Sequence, residues 1–252
     1  MDQTLIQAAT SNLNLPHDVV QLPSGGIFYK SKKKAIKVGY LTANDENFLI
    51  SAASNGNANI VLQLLRNKIY EHDIKPEELI DSDVEAILIF LRNTSFGPEY
   101  TVTLNDPRTD KPFSETIVLD ELNIKKVKVQ PDENGLYTTK LPKSDSVVKL
   151  KPLTYSDQVE LDKMVESYPP NLTAPKVTWK LAKQIVDVDG NTDRLSIAKF
   201  VETLPIADSK YIRNFLRENI PSLDLTKTTR APSGDLVTYT VAFGVEFFRP
   251  FF

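Results

Sequence analysis

The side chains able to do chemistry are few in this chain, and they are scattered. There are two histidines, His17 and His72, and no cysteine. Neither histidine has a second ligand at a plausible metal spacing, so both read as structural or solvent-facing. Without thiols, disulfides, Cys-ligated zinc, iron–sulfur clusters and thiol catalysis are excluded, which fits a reducing compartment. Asp187-Val188-Asp189-Gly190-Asn191 and Asp81-Ser82-Asp83 resemble pieces of a calcium loop. Each lacks the full ligand pattern and its closing bidentate glutamate, so turn and helix-cap roles are expected. Ser24-Gly25-Gly26 is followed by no Gly-Lys-Ser/Thr and no helix start. It reads as a hairpin turn needing positive φ at glycine, not as a phosphate cradle. Lys32-Lys33-Lys34 reads as a solvated turn, and no Ser/His/Asp set is discernible. Scattered carboxylates permit a paired-acid site, but no spacing picks one out. The chain is expected not to be an enzyme and to carry no cofactor or metal.

The elements around these residues point to a mixed α+β fold. Residues 1–18 are polar, broken by Leu13, Leu15 and Pro16, and read as an extended arm that orders only against a partner. Short strands are expected at residues 19–22 and 27–29 around Pro23-Ser24-Gly25-Gly26, then a strand at 35–40. Helices follow from Thr42 to about Ser54, at about residues 58–70, and from a Ser82 or Asp81 cap to about Thr94. A β-hairpin closes this first lobe, residues 19–123. Residues 124–147 are a β-rich joint. In the second lobe, residues 148–252, helices are expected near 155–168, 177–186, 194–203 and 208–219, then strands near 225–230 and 236–248. Residues 36–46 align without gaps to residues 148–158, each a strand, a Leu-Thr helix entry and an acid in the first turn. The architecture is therefore read as two tandem α+β lobes, each with strand–helix joints, short helices and a closing hairpin.

The composition matches a protein that docks. With 252 residues, 30 basic and 33 acidic side chains, the net charge is −3, so no global positive field favours nucleic acid. The N-terminus lacks a signal peptide's basic start and apolar run, and no apolar stretch approaches the roughly 20 residues of a membrane span. Five of the last twelve residues are Phe. Val241, Phe243 and Val245 are expected on the buried face of a strand in the second lobe. From Phe247 onward the alternation breaks, and Pro250 cannot join a ladder. Leu13, Leu15, Phe247, Phe248, Phe251 and Phe252 are the candidate partner interface.

Three ordered stretches carry a resemblance. The first is Leu22-Pro23-Ser24-Gly25-Gly26-Ile27-Phe28-Tyr29, followed by Tyr40-Leu41-Thr42-Ala43-Asn44-Asp45-Glu46. The second is Pro205-Ile206-Ala207-Asp208-Ser209-Lys210-Tyr211-Ile212-Arg213, followed by Pro221-Ser222-Leu223-Asp224-Leu225. The third is Phe247-Phe248-Arg249-Pro250. Together, from about residue 19 to the end, the chain resembles the baseplate hub subunit family of T-even-type contractile-tailed bacteriophages. The resemblance implies a structural or assembly component at the central hub of the virion tail baseplate, assembled in the host cytoplasm. The partners it implies are hub, tape-measure, tube-initiating or spike proteins, with no nucleic acid and no membrane span. It also implies Cys-x-x-Cys zinc knuckles in the hairpins. The matching turns here are residues 105–111 and 230–234, where Arg230 and Ser233 stand in place of a Cys pair. Neither ligates zinc well, so the hairpins are expected to hold by packing and hydrogen bonds. The rival readings are a peptide-binding adaptor, using the aromatics as a groove, and an enzyme with an unrecognised carboxylate site.

Overall fold

Hydrophobic alternation and helical spacing sort the chain into small antiparallel sheets overlaid by helices. The computed structural model describes residues 16–55, 60–241 and Phe247, with backbone alone for residues 51–55. Among these are seven α-helices and nine strands, a mixed α+β fold. Strand β1 (His17–Gln21) pairs antiparallel with β2 (Ala35–Gly39), Val20 opposite Ile36. Helices α1 (Ala43–Asn55), α2 (Ile60–Lys68) and α3 (Asp81–Phe96) follow, then the hairpin β3 (Glu99–Asn105) and β4 (Pro112–Val118). A three-stranded sheet joins β5 (Tyr137–Lys140), β6 (Val147–Leu150) and β7 (Ile185–Val188). Between and after its last two strands run α4 (Tyr155–Glu166), α5 (Lys176–Gln184), α6 (Arg194–Glu202) and α7 (Ile206–Asn219). The hairpin β8 (Thr226–Arg230) and β9 (Leu236–Thr240) comes last.

Two apolar clusters result. The first gathers Ile36 and Val38 from β2, Leu64 and Leu65 from α2, and Ile87 and Leu91 from α3. The second gathers Tyr137, Val148 and Leu150 with Leu181, Ile197 and Ile212. Phe28 packs against both. The closing hairpin crosses back, since Leu225, Val241 and Phe247 belong to the first cluster. Val241 is thus buried as expected, but against the first cluster; Phe243 and Val245 lie outside the described residues.

Four expectations need correction. The partner of β1 is β2, and residues 27–29 form turns, not a strand. Positive φ at Gly25, Gly26 and Lys32 coils this segment. A Cβ on Gly26 would lie 2.1 Å from the Lys33 carbonyl oxygen, so only glycine fits there. Second, neither Asp81 nor Ser82 caps α3, because they are its first two residues, and Ile80 at the cap position offers no side-chain acceptor. Third, the expected β-rich joint opens without a strand, on a single bridge from Ile124 to Leu223. Fourth, residues 185–186 leave the expected helix as β7, where their β-branched side chains complete the sheet beside β6.

Candidate functional site

The segments that carry the resemblance are built around buried carboxylates. Asp83, in the first turn of α3, is fully buried. Its carboxylate accepts from the Ser24 N–H at 2.9 Å, the Ser24 hydroxyl at 2.5 Å and the Tyr29 hydroxyl. The Tyr29 oxygen in turn accepts from the Ile80 N–H at 3.1 Å. Burial pushes Asp83 above the ordinary carboxylate range despite these donors. Burial, and then the Asp83 charge, raises the Tyr29 phenol. The group is closed on itself and presents no nucleophile.

Asp208, in the first turn of α7, repeats the arrangement. It is fully buried and accepts from the Lys143 and Ser144 N–H groups, each at 2.8 Å. Both carboxylates grip the turn after an outer strand, at Leu22-Pro23-Ser24 and Leu141-Pro142-Lys143. The two halves match at the helix entries as well. The Thr42 N–H donates to Asp45 at 2.7 Å and the Thr154 N–H to Asp157 at 3.1 Å, with the threonine hydroxyls capping in return. Each aspartate has a lysine, Lys68 for Asp45 and Lys183, at 3.0 Å, for Asp157. Burial alone would raise Asp157, but the Thr154 amide and its lysines hold it below its ordinary value.

The turns that stand where knuckles are implied meet tip to tip. Asp106 is 2% exposed and accepts from Arg108 N–H at 2.9 Å, Thr109 N–H at 3.2 Å and Ser233 N–H at 2.9 Å. Arg108 reaches across to Asp235 through two donors, at 2.7 and 3.2 Å. Arg230 donates to the Gly234 carbonyl oxygen at 2.7 Å. Burial pushes Asp106 up, but the amides of Arg108, Ser233 and Thr109 more than reverse it, to about 2. This donor set does not fit a zinc ion. Both Asp106 oxygens already hold amides, and two guanidinium groups share the site. Among the described residues no group of three or more His, Asp or Glu side chains could hold a metal.

Of the candidate interface residues, Leu13, Leu15, Phe248, Phe251 and Phe252 lie outside the described residues. Phe247 is 1% exposed, so it is a core residue and not a free surface anchor. Its ring stands edge-on to Tyr100 at 5.1 Å. The buried Arg92 guanidinium lies 5.0 Å from the Tyr100 ring centre and 5.6 Å from that of Phe247. Arg92 also donates to the carbonyls of Gly97 and Glu99, and burial lowers its pKa.

One open cleft of about 570 Å³ lies between the lobes. Its floor includes Ile80, Leu153, Leu216 and Ile220, and its charged lining is Asp81, Lys176, Lys180, Arg213 and Arg217. Gln158 ties α4 to Asp81 by a 3.0 Å hydrogen bond at its edge. Sequence reading missed this site, because its residues come from four separate helices and a linking segment.

The family model that matches the chain is described as T4 bacteriophage base plate protein, and the match covers residues 21–248. No curated protein and no solved structure matches.

Proposed function

The chain belongs to the T4 bacteriophage base plate protein family, and from that premise we propose that it acts without catalysis at the central hub, holding neighbouring tail proteins together. As a baseplate component it resides in the virion tail and has other tail proteins as partners. The hub placement is supported by the three ordered stretches that resemble hub subunits. Assembly in the host cytoplasm belongs to the same reading.

The observation that carries the non-enzymatic reading is the use of the buried acids. Asp45, Asp83, Asp106 and Asp208 are each consumed by amides, hydroxyls or a lysine of the chain itself. A catalytic acid or base needs an oxygen open to exchange a proton with substrate, and these oxygens are held by the chain's own donors. Among the described residues no helix is long and apolar enough to cross a membrane. Leu13, Leu15, Phe248, Phe251 and Phe252 remain the proposed aromatic and aliphatic contacts to neighbours. Cross-linking mass spectrometry of purified baseplates tests the placement. Links to hub, tape-measure, tube-initiating or spike proteins are expected, and links confined to peripheral wedge or fibre proteins would overturn it.

A further inference from the structure

The cleft between the lobes has a charge pattern that the fold does not need. Lys176 and Lys180 are four residues apart on α5, and Arg213 and Arg217 four apart on α7. Like charges at this spacing disfavour a helix. All four cations are exposed and line one cleft. Among the described residues none of them forms an ion pair, in contrast to Lys33, Lys68 and Lys183. Among the described lining residues the one carboxylate is Asp81, which accepts from Gln158 and faces Lys180, so four cations meet a single anion. Beneath this rim the floor is aliphatic, and Val177 stands 45% exposed at its side.

The lining also holds an unfinished hydrogen bond. Ser82, the second residue of α3, is 5% exposed, and its hydroxyl is buried with no partner. Buried polar groups are nearly always paired, so an orphan in a cleft wall marks a place where an acceptor is to be supplied. The chain leading into α3 supplies no side-chain cap at Ile80, so the first-turn hydroxyl of Ser82 stands open beside Asp81.

Resting on the baseplate reading above, we propose that this cleft seats an acidic amphipathic segment of a neighbouring baseplate polypeptide. Its carboxylates lie on Lys176, Lys180, Arg213 and Arg217, and its apolar side chains lie on Leu153, Leu216 and Ile220. The volume is that of a pocket able to take several side chains. The apolar floor and Asp81 select a polypeptide over a nucleic acid, whose phosphates would bring charge but no apolar face.

Purified baseplates treated with a carbodiimide, which joins carboxylates to amines at contact distance, test the proposal together with acetylation of lysines in free and assembled protein. Lys176 and Lys180 are expected to be protected on assembly and joined to Asp or Glu of another polypeptide. Lys180→Glu/Arg217→Glu should keep the thermal midpoint yet enter baseplates at least tenfold less, with Lys140→Glu entering normally. Replacing the coupled carboxylates by lysine should restore entry. Equal acetylation in both states, or protection with cross-links to DNA and none to carboxylates, would overturn the cleft while leaving the baseplate role intact. Absence of the chain from baseplates would overturn both.

Discussion

Buried aspartates hold this protein together, and they divide into two kinds. Asp83 is desolvated beyond what its donors compensate, so it sits above its ordinary range, whereas Asp106 is drawn down to about 2 by three amides. Asp83→Ala leaves the Ser24 amide and two hydroxyls without their acceptor. It is expected to cost about 3 kcal/mol, a fall of ~5–10 °C in thermal midpoint, read by calorimetry. An unchanged midpoint would mean that the network contributes nothing. Asp106 gives a pH signature. Its folded pKa is below its unfolded one, so its stabilisation is present above the ordinary value of 3.8 and lost as pH falls through about 2. The midpoint difference between wild type and Asp106→Asn should be steady from about pH 5 to 7 and close between about pH 4 and 2. A zinc-held hairpin junction would instead respond to chelator, and no such response is expected.

Local chemistry made several elements legible in advance. Thr154 with Asp157, and Thr42 with Asp45, announced two helix starts because both halves of each cap lie within four residues. The four helices of the second half began within about two residues of their expected positions, although α5 ended two residues early at Gln184. The Asp83 and Asp208 grips were not legible, since donor and acceptor are 59 and 65 residues apart. The true partner of β1 was hidden instead by the coiled segment that lies between it and β2, and distance in sequence hid the fate of the chain end. Phe247 was read as surface because alternation breaks there, yet its ring lies in the first core beside Arg92 and Tyr100. Phe247→Ala is therefore expected to lower stability by about 3–5 kcal/mol. Phe251→Ala and Phe252→Ala, as proposed contacts to a neighbour, should leave the midpoint unchanged and reduce assembly. A midpoint lowered equally by all three substitutions would make the whole tail core.

At the scale of the molecule, the two halves repeat a motif: an outer strand, a Leu-Pro turn gripped by a buried aspartate, an inner strand and a capped helix. Their hairpins meet tip to tip through Asp106, Arg108, Ser233 and Asp235, and the last hairpin returns to the first core. Such crossing ties the lobes through hydrogen bonds, an ion pair and apolar packing. The α+β class followed from strand–helix alternation. The cleft did not, because its cations are ordinary surface residues until α5 and α7 bring them to one opening. The central claim is that this chain works as a fixed part of the baseplate hub. Quantitative mass spectrometry of purified tails and of isolated assembly intermediates tests it most directly. The account predicts the chain at a constant ratio to hub proteins in at least one of these. Its absence from both, while the protein accumulates in the infected cell, would contradict the account.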